Sequence, residues 1–475
     1  MSIGNIVYSI RHVALGLPTP EKWGGLELAK TVGKNGYTVD TFLEDSKKFI
    51  GFESWMGGAM PSNKLDPPID AFTIKEFAIG NGDSNPLYTD ADYANNTKYG
   101  CLIAPPTIVN FVKYPVNRGP LDWGPYPLSG FPSGADWMWY DVMRVNDRFR
   151  SSMKVDEVFE KRGRTGRLCF TNVDVSMWNQ SDDLIATCDA IFISVGREGY
   201  VKGEGFTGDK GMLYERPTYR YSEAEVEHIV KDMEAEDRRG PDPRYWEDVN
   251  VGDKLKPVVK GPYVYLDFIT ERMERARQDP EASFEVGMFH AANQPRKNPV
   301  TGWPYEARVM EHRDFNLCRG RGLPGPFDVG MARVDKNAHL LSNWMGDDGF
   351  IRRLKSSIRK PHYYGDTLWL SGEVIDKYKD NVENVEYAAV DILINGINQV
   401  GENSLPGKAT VYLPSRELGE VVLPVPLPPK EEWKLITQRE ANDFVKEIES
   451  GETIFPNLPT EMYDYNKWLA CQQLQ

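Results

Sequence analysis

An acidic residue, a turn and a ring side chain lie close together near position 85. Asp83 is followed by Asn85-Pro86, and Tyr88 comes five residues after the aspartate. A carboxylate and a hydroxyl held by one turn could exchange protons with a bound molecule. A tyrosine with an ordinary pKa of about 10 is a poor base at neutral pH, but it can donate a proton or position water.

The same stretch continues with a second pattern. Residues 81–88 read Asn-Gly-Asp-Ser-Asn-Pro-Leu-Tyr, and Gly100 follows a dozen residues later. Pro105 and Pro106 come next and can open a helix, because the first turn of a helix loses no hydrogen bond to a proline. This predicts a short helix that begins at Pro105 and stops by Pro115.

The two patterns together resemble the signature of R-specific enoyl-CoA hydratases, the MaoC-like branch of the hotdog fold, which reads Gly-Asp-x-Asn-Pro-x-His. The resemblance implies that Asp83 is a catalytic carboxylate and that Asn85 shapes the substrate site. In that family an Asp and a His five residues apart hold a water molecule between them. Here Tyr88 occupies the histidine position, so half of the expected pair is replaced, and the first half could equally be a degenerate site.

The second half of the chain resembles the other part of the signature. His312 precedes Gly322 by ten residues, which is the spacing between the family's histidine and its glycine. The family's aspartate would fall on Ala307, so Glu306 or Asp314 is the candidate carboxylate. We favour this half and His312 as the base, because histidine is the better base near pH 7. A surface or capping role for His312 remains the alternative.

Further residues are candidates for binding a substrate. Gly325 lies in a Pro-Gly-Pro turn, and Gly330 opens a helix predicted to be the central helix of the second half. Arg353 and Arg359 belong to a basic cluster that could hold the phosphates of coenzyme A, with solvated strand ends as the plainer interpretation. His339 on the predicted central helix is interpreted as a core or interface histidine.

Composition limits the classes of function. The chain has 475 residues and a net charge of −14, which argues against a general nucleic-acid binder. Its five cysteines form no Cys-x-x-Cys pair, so no zinc site or disulfide framework is predicted, and we expect free thiols in a reducing cytoplasm. The chain shows neither a signal-peptide pattern nor an apolar run long enough to span a membrane.

The sequence pattern indicates two similar halves. Asn179-Gln180 and Asn398-Gln399 each precede an acidic turn and an apolar run, as expected of strand–turn–strand units. A capping box at Ser222 predicts a helical linker between the halves. The predicted organisation is therefore an N-terminal arm, a first MaoC-like domain, a linker, a second MaoC-like domain and a Pro-rich tail, with the bounds 1–30, 31–215, 216–243, 244–415 and 416–475.

These observations predict an α+β double hotdog, in which two antiparallel sheets each wrap a central helix and join edge to edge. The resemblance implies a lyase that hydrates an enoyl-CoA or dehydrates a 3-hydroxyacyl-CoA, with a bulky or aromatic acyl group. The acyl-CoA thioester is then the substrate, and neither a metal nor a separate cofactor is needed. Two alternatives stay open: altered chemistry that uses Asp83 and Tyr88, and a non-catalytic acyl-CoA-binding subunit. We expect a homo-oligomer or a hetero-oligomer.

Overall fold

A nine-stranded antiparallel sheet dominates the structure, a computed structural model. It describes residues 38–47, 50, 68–112, 128–163, 166–196, 216, 219–276, 312–315, 318 and 325–427. The strands are β1 Leu128–Trp139, β2 Arg150–Gly163, β3 Gly166–Trp178, β4 Leu184–Gly196, β5 Lys254–Lys260, β6 Phe350–Ser357, β7 Leu368–Val382, β8 Val385–Asn398 and β9 Gly407–Leu413. Their order in the sheet is β2-β3-β4-β1-β6-β9-β8-β7-β5.

The strand order repeats about the centre of the sheet. Outward from β1 the order is β4, β3, β2, and outward from β6 it is β9, β8, β7. The two series meet where β1 pairs with β6 in antiparallel register, with Trp137 opposite Leu354. This junction is the predicted edge-to-edge joining of two sheets, which removes two strand edges that could otherwise pair with other chains.

Helices cover the sheet and connect its strands. Those with eight or more residues are α1 Val39–Lys47, α2 Ala71–Gly80, α6 Glu223–Glu234, α7 Tyr265–Ala276 and α8 Gly330–Met345. The shorter ones are α3 Pro86–Thr89, α4 Ala91–Asn95 and α5 Val109–Val112, and α5 follows a 3-10 turn, Pro106–Ile108. No helix among the described residues is both long enough and apolar enough to cross a membrane.

Local sequence signals explain several of these helix ends. Asp70 accepts a hydrogen bond from the Thr73 backbone N–H at 2.7 Å and caps α2. The predicted capping box is present at the start of α6, where Ser222 and Glu225 cap each other. Helix α8 ends at Met345 and is capped by Gly346, whose φ of 74° suits glycine best.

Helix α8 is the helix that was predicted to be central to the second half. It packs on the inner face of the sheet, and its residues from Met331 to Met345 are buried except for Ala332. Unusually for a buried helix, many of these residues are polar, and most have polar partners. Asn110 of α5 donates to Asp335 at 2.8 Å, for example, and Asn337 donates to Ser356 of β6 at 2.9 Å. These bonds fix the rotation of α8 against both halves.

One core spans both halves and agrees with the predicted α+β double hotdog. The same apolar cluster contains residues of the first half, such as Trp137 and Val175, and residues of the second half, such as Leu341 and Ile392. The predicted turns after Asn179 and Asn398 do connect β3 to β4 and β8 to β9. The segment after Pro105 is helical from Pro106 to Val112, as predicted, and the predicted end of this helix lies outside the described residues.

Candidate functional site

Asp83 is held in a tight turn between α2 and α3. Its carboxylate oxygen Oδ1 accepts the Asn85 backbone N–H at 3.0 Å, and the Asn85 side chain in turn accepts the Leu87 N–H at 3.0 Å. Asn85 thus caps α3, and Pro86 occupies the first position of that helix. Asp83 is only 4% exposed, so the turn presents a buried carboxylate to the interior.

Tyr88 lies beside this carboxylate and is also buried. Burial, and next the negative charge of Asp83, raise the pKa of its hydroxyl well above the usual value. Ser342 of α8 forms a hydrogen bond with the hydroxyl, which partly offsets this rise. Tyr88 therefore stays protonated across the pH range in which enzymes work, and it can act only as a hydrogen-bond partner or a proton donor.

A histidine from the other half of the chain completes the cluster. His339 projects from α8, is 2% exposed, and places its ring nitrogen Nε2 3.8 Å from Oδ1 of Asp83. The same nitrogen lies 2.9 Å from Oε1 of Glu236, but it has no aligned hydrogen bond within the described structure. The histidine that the motif lacks at position 88 thus has a spatial counterpart on the central helix.

Glu236 reaches the cluster from the segment after α6. Its burial favours the neutral acid, but the neighbouring His339, Asn343 and Lys260 stabilise the carboxylate and lower its pKa to about 2. Asn343 donates a hydrogen bond to Oε1 at 2.9 Å. Glu236 is therefore an ionised carboxylate next to the imidazole, at the same nitrogen that faces Asp83.

Lys260, the last residue of β5, contacts the opposite side of the imidazole. Its Nζ lies 2.7 Å from Nδ1 of His339 and donates to the Gly82 carbonyl oxygen at 3.0 Å. Gly82 has a φ of 68°, and a Cβ atom there would lie 2.9 Å from the lysine Nζ. Glycine therefore suits this position twice, for its backbone conformation and for the close approach of the lysine.

A narrow pocket lies beside Asp83, Tyr88 and His339. It has about 260 Å³ of empty space and is lined by Asp83, Tyr88 and His339, together with Phe77 of α2 and Thr107 after the double proline. Asn81, Asp335 and Ser342 add further polar groups to its wall, and the rest of the lining, such as Pro105 and Ala338, is apolar. Such a site can position a small polar reactant, such as water, against an apolar substrate.

A larger apolar pocket adjoins the first one. It has about 480 Å³ of empty space, and it shares Tyr88 and Pro106 with the smaller pocket. Its other lining residues include Ala104, Trp139 and Met345. Asn85, predicted to shape the substrate site, also lines this second pocket.

The structure places His312 in different surroundings. Its Nδ1 lies 2.7 Å from the Phe327 carbonyl oxygen, which can only accept, so Nδ1 carries the proton. Its ring stacks on Phe268 and meets Phe327 edge to face. In a neutral ring this contact assigns the single proton to Nδ1, and the role of His312 as a base stays a prediction.

The partners proposed for His312 are only partly described. Glu306 lies outside the described residues, and Asp314 lies two residues from the histidine and is partly exposed. Gly325 lies against the Phe315 ring, and Gly330 begins α8 where an added Cβ atom would lie 3.1 Å from the Ile358 side chain and 3.5 Å from Pro132. The close approach of a helix to the sheet is therefore an adequate reason for Gly330.

The predicted phosphate-binding arginines do not lie at the two pockets. Arg353 is on the outer face of β6, opposite α8, and forms a two-pronged ion pair with Asp136 at 2.8 and 2.7 Å. Arg359 is exposed just after β6. The structure therefore does not bring these arginines to Asp83, Tyr88 and His339.

Sequence reasoning missed His339 as a member of the site. One signal was present, because a helix predicted to be central carries Arg333, Asp335, Lys336, His339 and Asn343. Polar residues at positions that the fold must bury often mark function. Without the packing of the two halves, the sequence could not show that this helix faces the Asp83 turn.

Comparisons with known proteins agree with the fold and the motif. A family model for the FAS1-like dehydratase domain region matches residues 54–188, which include the Asp83 turn. A solved structure of a MaoC-like dehydratase is similar with a TM-score of 0.52, at 14% identity over 78% of this chain and 99% of that one. No curated protein matches the chain.

Two further solved structures show weaker similarity. A Mycobacterium tuberculosis protein described as a double hotdog has a TM-score of 0.42, at 12% identity over 74% of this chain and 95% of that one. A MaoC-like dehydratase from Phytophthora capsici has a TM-score of 0.39, at 10% identity with the same coverage. The family model and the structure with a TM-score of 0.52 confirm the resemblance to MaoC-like dehydratases, and an identity of 14% indicates a shared fold rather than a shared substrate.

Proposed function

We propose that this chain is a hydro-lyase that adds water to a 2-enoyl thioester, or removes it from the 3-hydroxyacyl thioester, at the pocket formed by Asp83, Tyr88 and His339. One observation carries the proposal: the Asp83 carboxylate of the dehydratase motif lies 3.8 Å from a buried imidazole nitrogen. The thioester is proposed to be an acyl-CoA, as the motif implies.

The chemistry assigns a role to each group. In hydration, the water oxygen bonds to C3 of the substrate while its O–H bond breaks and Asp83 takes the proton. Asp83 then delivers this proton to C2, which completes the addition and restores the carboxylate. His339 forms a hydrogen bond to the water oxygen and holds it in line with C3. Tyr88 donates a hydrogen bond and does not ionise. Dehydration runs through the same groups in reverse.

The first test replaces the proposed base. Asp83→Asn keeps an oxygen that can accept the Asn85 N–H, so the turn is preserved, but it cannot take a proton from water. We expect kcat on a 2-enoyl-CoA to fall by about a hundredfold to ten-thousandfold. The measurement is the loss of enoyl-thioester absorbance, with a matched thermal unfolding curve as the control for folding.

Two outcomes would contradict this proposal. Full turnover by Asp83→Asn would show that the carboxylate is not the base. Binding of acyl-CoA by the unmodified chain without turnover on any enoyl-CoA, with turnover restored by a second protein, would instead support the alternative of a non-catalytic subunit.

The larger pocket is proposed to hold the acyl chain, because it is apolar and begins at Tyr88. Ala104 is buried in its wall. We expect Ala104→Leu to lower kcat/KM for a long-chain enoyl-CoA at least tenfold more than for a four-carbon substrate, since the added carbons fill the slot. The ratio of kcat/KM for the two substrates corrects for any loss of folded enzyme, because that loss affects both values equally. An equal loss of kcat/KM for both chain lengths would show that the acyl chain does not bind in this pocket.

A further inference from the structure

We propose that Lys260 is a positioning residue that holds His339 in the tautomer with its proton on Nε2, so that the imidazole offers the pocket a hydrogen-bond donor rather than a base. The tautomer follows from the contacts around the ring, and only its catalytic meaning rests on the proposed function.

Four contacts define the geometry. Lys260 Nζ is 2.7 Å from Nδ1 of His339, on the side of the ring away from the pocket acid. Nε2 faces two carboxylates, Glu236 at 2.9 Å and Asp83 at 3.8 Å. The lysine is itself held by the Gly82 carbonyl at 3.0 Å, so its ammonium cannot turn away without losing a bond.

The hydrogen-bonding capacity of each group then selects one tautomer. A lysine ammonium has three donors and no acceptor, so Nδ1 must present its lone pair to Nζ. A neutral imidazole carries one proton, which therefore resides on Nε2. Two carboxylates in front of Nε2 favour the same arrangement, because they can only accept while ionised.

The surrounding charges set the pH at which this arrangement changes. Burial is the largest effect on Lys260 and, with the charges of Lys336 and Arg238, lowers its pKa, whereas Glu236 and Asp83 raise it; the result is about 8. Below this pH the ammonium holds the Nε2–H tautomer. Above it the neutral amine can accept a hydrogen bond, and the proton is free to move to Nδ1.

The Nε2–H tautomer suits one division of labour in the pocket. Asp83 remains the base that takes the water proton, while the imidazole N–H donates to the water oxygen in hydration. In dehydration the same N–H donates to the departing hydroxyl and stabilises its developing charge. A positively charged lysine on Nδ1 strengthens this donor.

The test is nitrogen NMR of the full chain labelled at its six histidines, with His339→Asn used to assign the His339 signals. For the wild-type protein at pH 7, we expect the His339 signals to show a protonated Nε2 and an unprotonated Nδ1. Lys260→Met leaves the two carboxylates at Nε2 in place, so it should add a population protonated on Nδ1 rather than convert the ring completely. Lys260→Arg, which stays charged, should keep the Nε2–H form alone through pH 9. Lys256→Met changes an exposed lysine of the same strand and should leave the spectrum unchanged.

Activity supplies a second readout of the positioning role. We expect kcat of Lys260→Met to fall on the order of ten- to a hundredfold with KM little changed, and Lys260→Arg to recover most of it. A protonated Nδ1 in wild type at pH 7, or an unchanged tautomer in Lys260→Met, would overturn the inference. If Lys260→Met does not fold, the wild-type spectrum between pH 6 and 9 and the Lys260→Arg spectrum decide it. Because the spectra need no turnover, a failed hydratase assay leaves this test intact.

Discussion

His339→Asn is expected to lower kcat on an enoyl-CoA by about a hundredfold to a thousandfold. The asparagine amide reaches the place of Nδ1 and can still accept from Lys260. It leaves the place of Nε2 empty, so the reacting water loses its partner opposite Asp83. The measurement is steady-state hydration or dehydration of the thioester, with unfolding by urea as a check on folding.

Two comparison variants sharpen this result. His339→Gln extends an amide N–H to the position of Nε2, so it should recover part of the activity that His339→Asn loses. His312→Asn changes the histidine that the sequence pattern favours, and it should keep kcat within a few fold of wild type. The opposite ranking, with His312→Asn inactive and His339→Asn active, would move the site to the second half.

Asp328→Ala is expected to destabilise the fold by about 3–5 kcal/mol. Asp328 is fully buried and accepts two hydrogen bonds from Arg333, at 2.6 and 2.5 Å. Arg333 is 1% exposed at the first turn of α8 and also donates to the Lys360 carbonyl. Removing the carboxylate leaves a buried cation without its counter-charge, which costs far more than the contact itself contributes.

Urea unfolding of the single and double variants measures this effect. The double variant Asp328→Leu/Arg333→Met removes both charges and keeps apolar volume, so it should lose much less stability than Asp328→Ala. Equal losses in the two variants would show that packing, rather than the uncompensated charge, dominates.

The same pair predicts an acid dependence of stability. Burial opposes ionisation of Asp328, but Arg333, with His362 and Lys336, outweighs it and lowers the pKa of the carboxyl. A lowered folded-state pKa means that this stabilisation is present above the unfolded-state pKa and is lost as pH falls through the folded-state value. Asp328→Ala should therefore lose less stability than wild type on acidification.

Local signals predicted much of the fold. The capping box at Ser222, the polar turns after Asn179 and Asn398 and the double proline at Pro105 each act over a few residues, so they can be interpreted without tertiary information. The duplicated pattern then predicted the joined sheets, because one hotdog leaves an edge that a second can cover.

The site could not be predicted as completely. Asp83 and Asn85 come from one turn, and their motif was visible in the sequence. His339 and Lys260 lie more than 170 positions from that turn and approach it only because α8 and β5 of the second half pack against the first half. Because position 88 lacks the histidine, the sequence left open that the first half is a degenerate site. That interpretation assumes that all residues of the site come from one segment.

The sequence alone thus determined the helices and strands, the two similar halves and the position of Asp83 in a turn. These features depend on hydrogen bonds and apolar spacing between residues that are near neighbours in the chain. Tertiary structure alone decided which imidazole faces that acid and which lysine holds the imidazole. Distances between remote side chains depend on how two sheets and a buried helix pack together, and no local pattern records that packing.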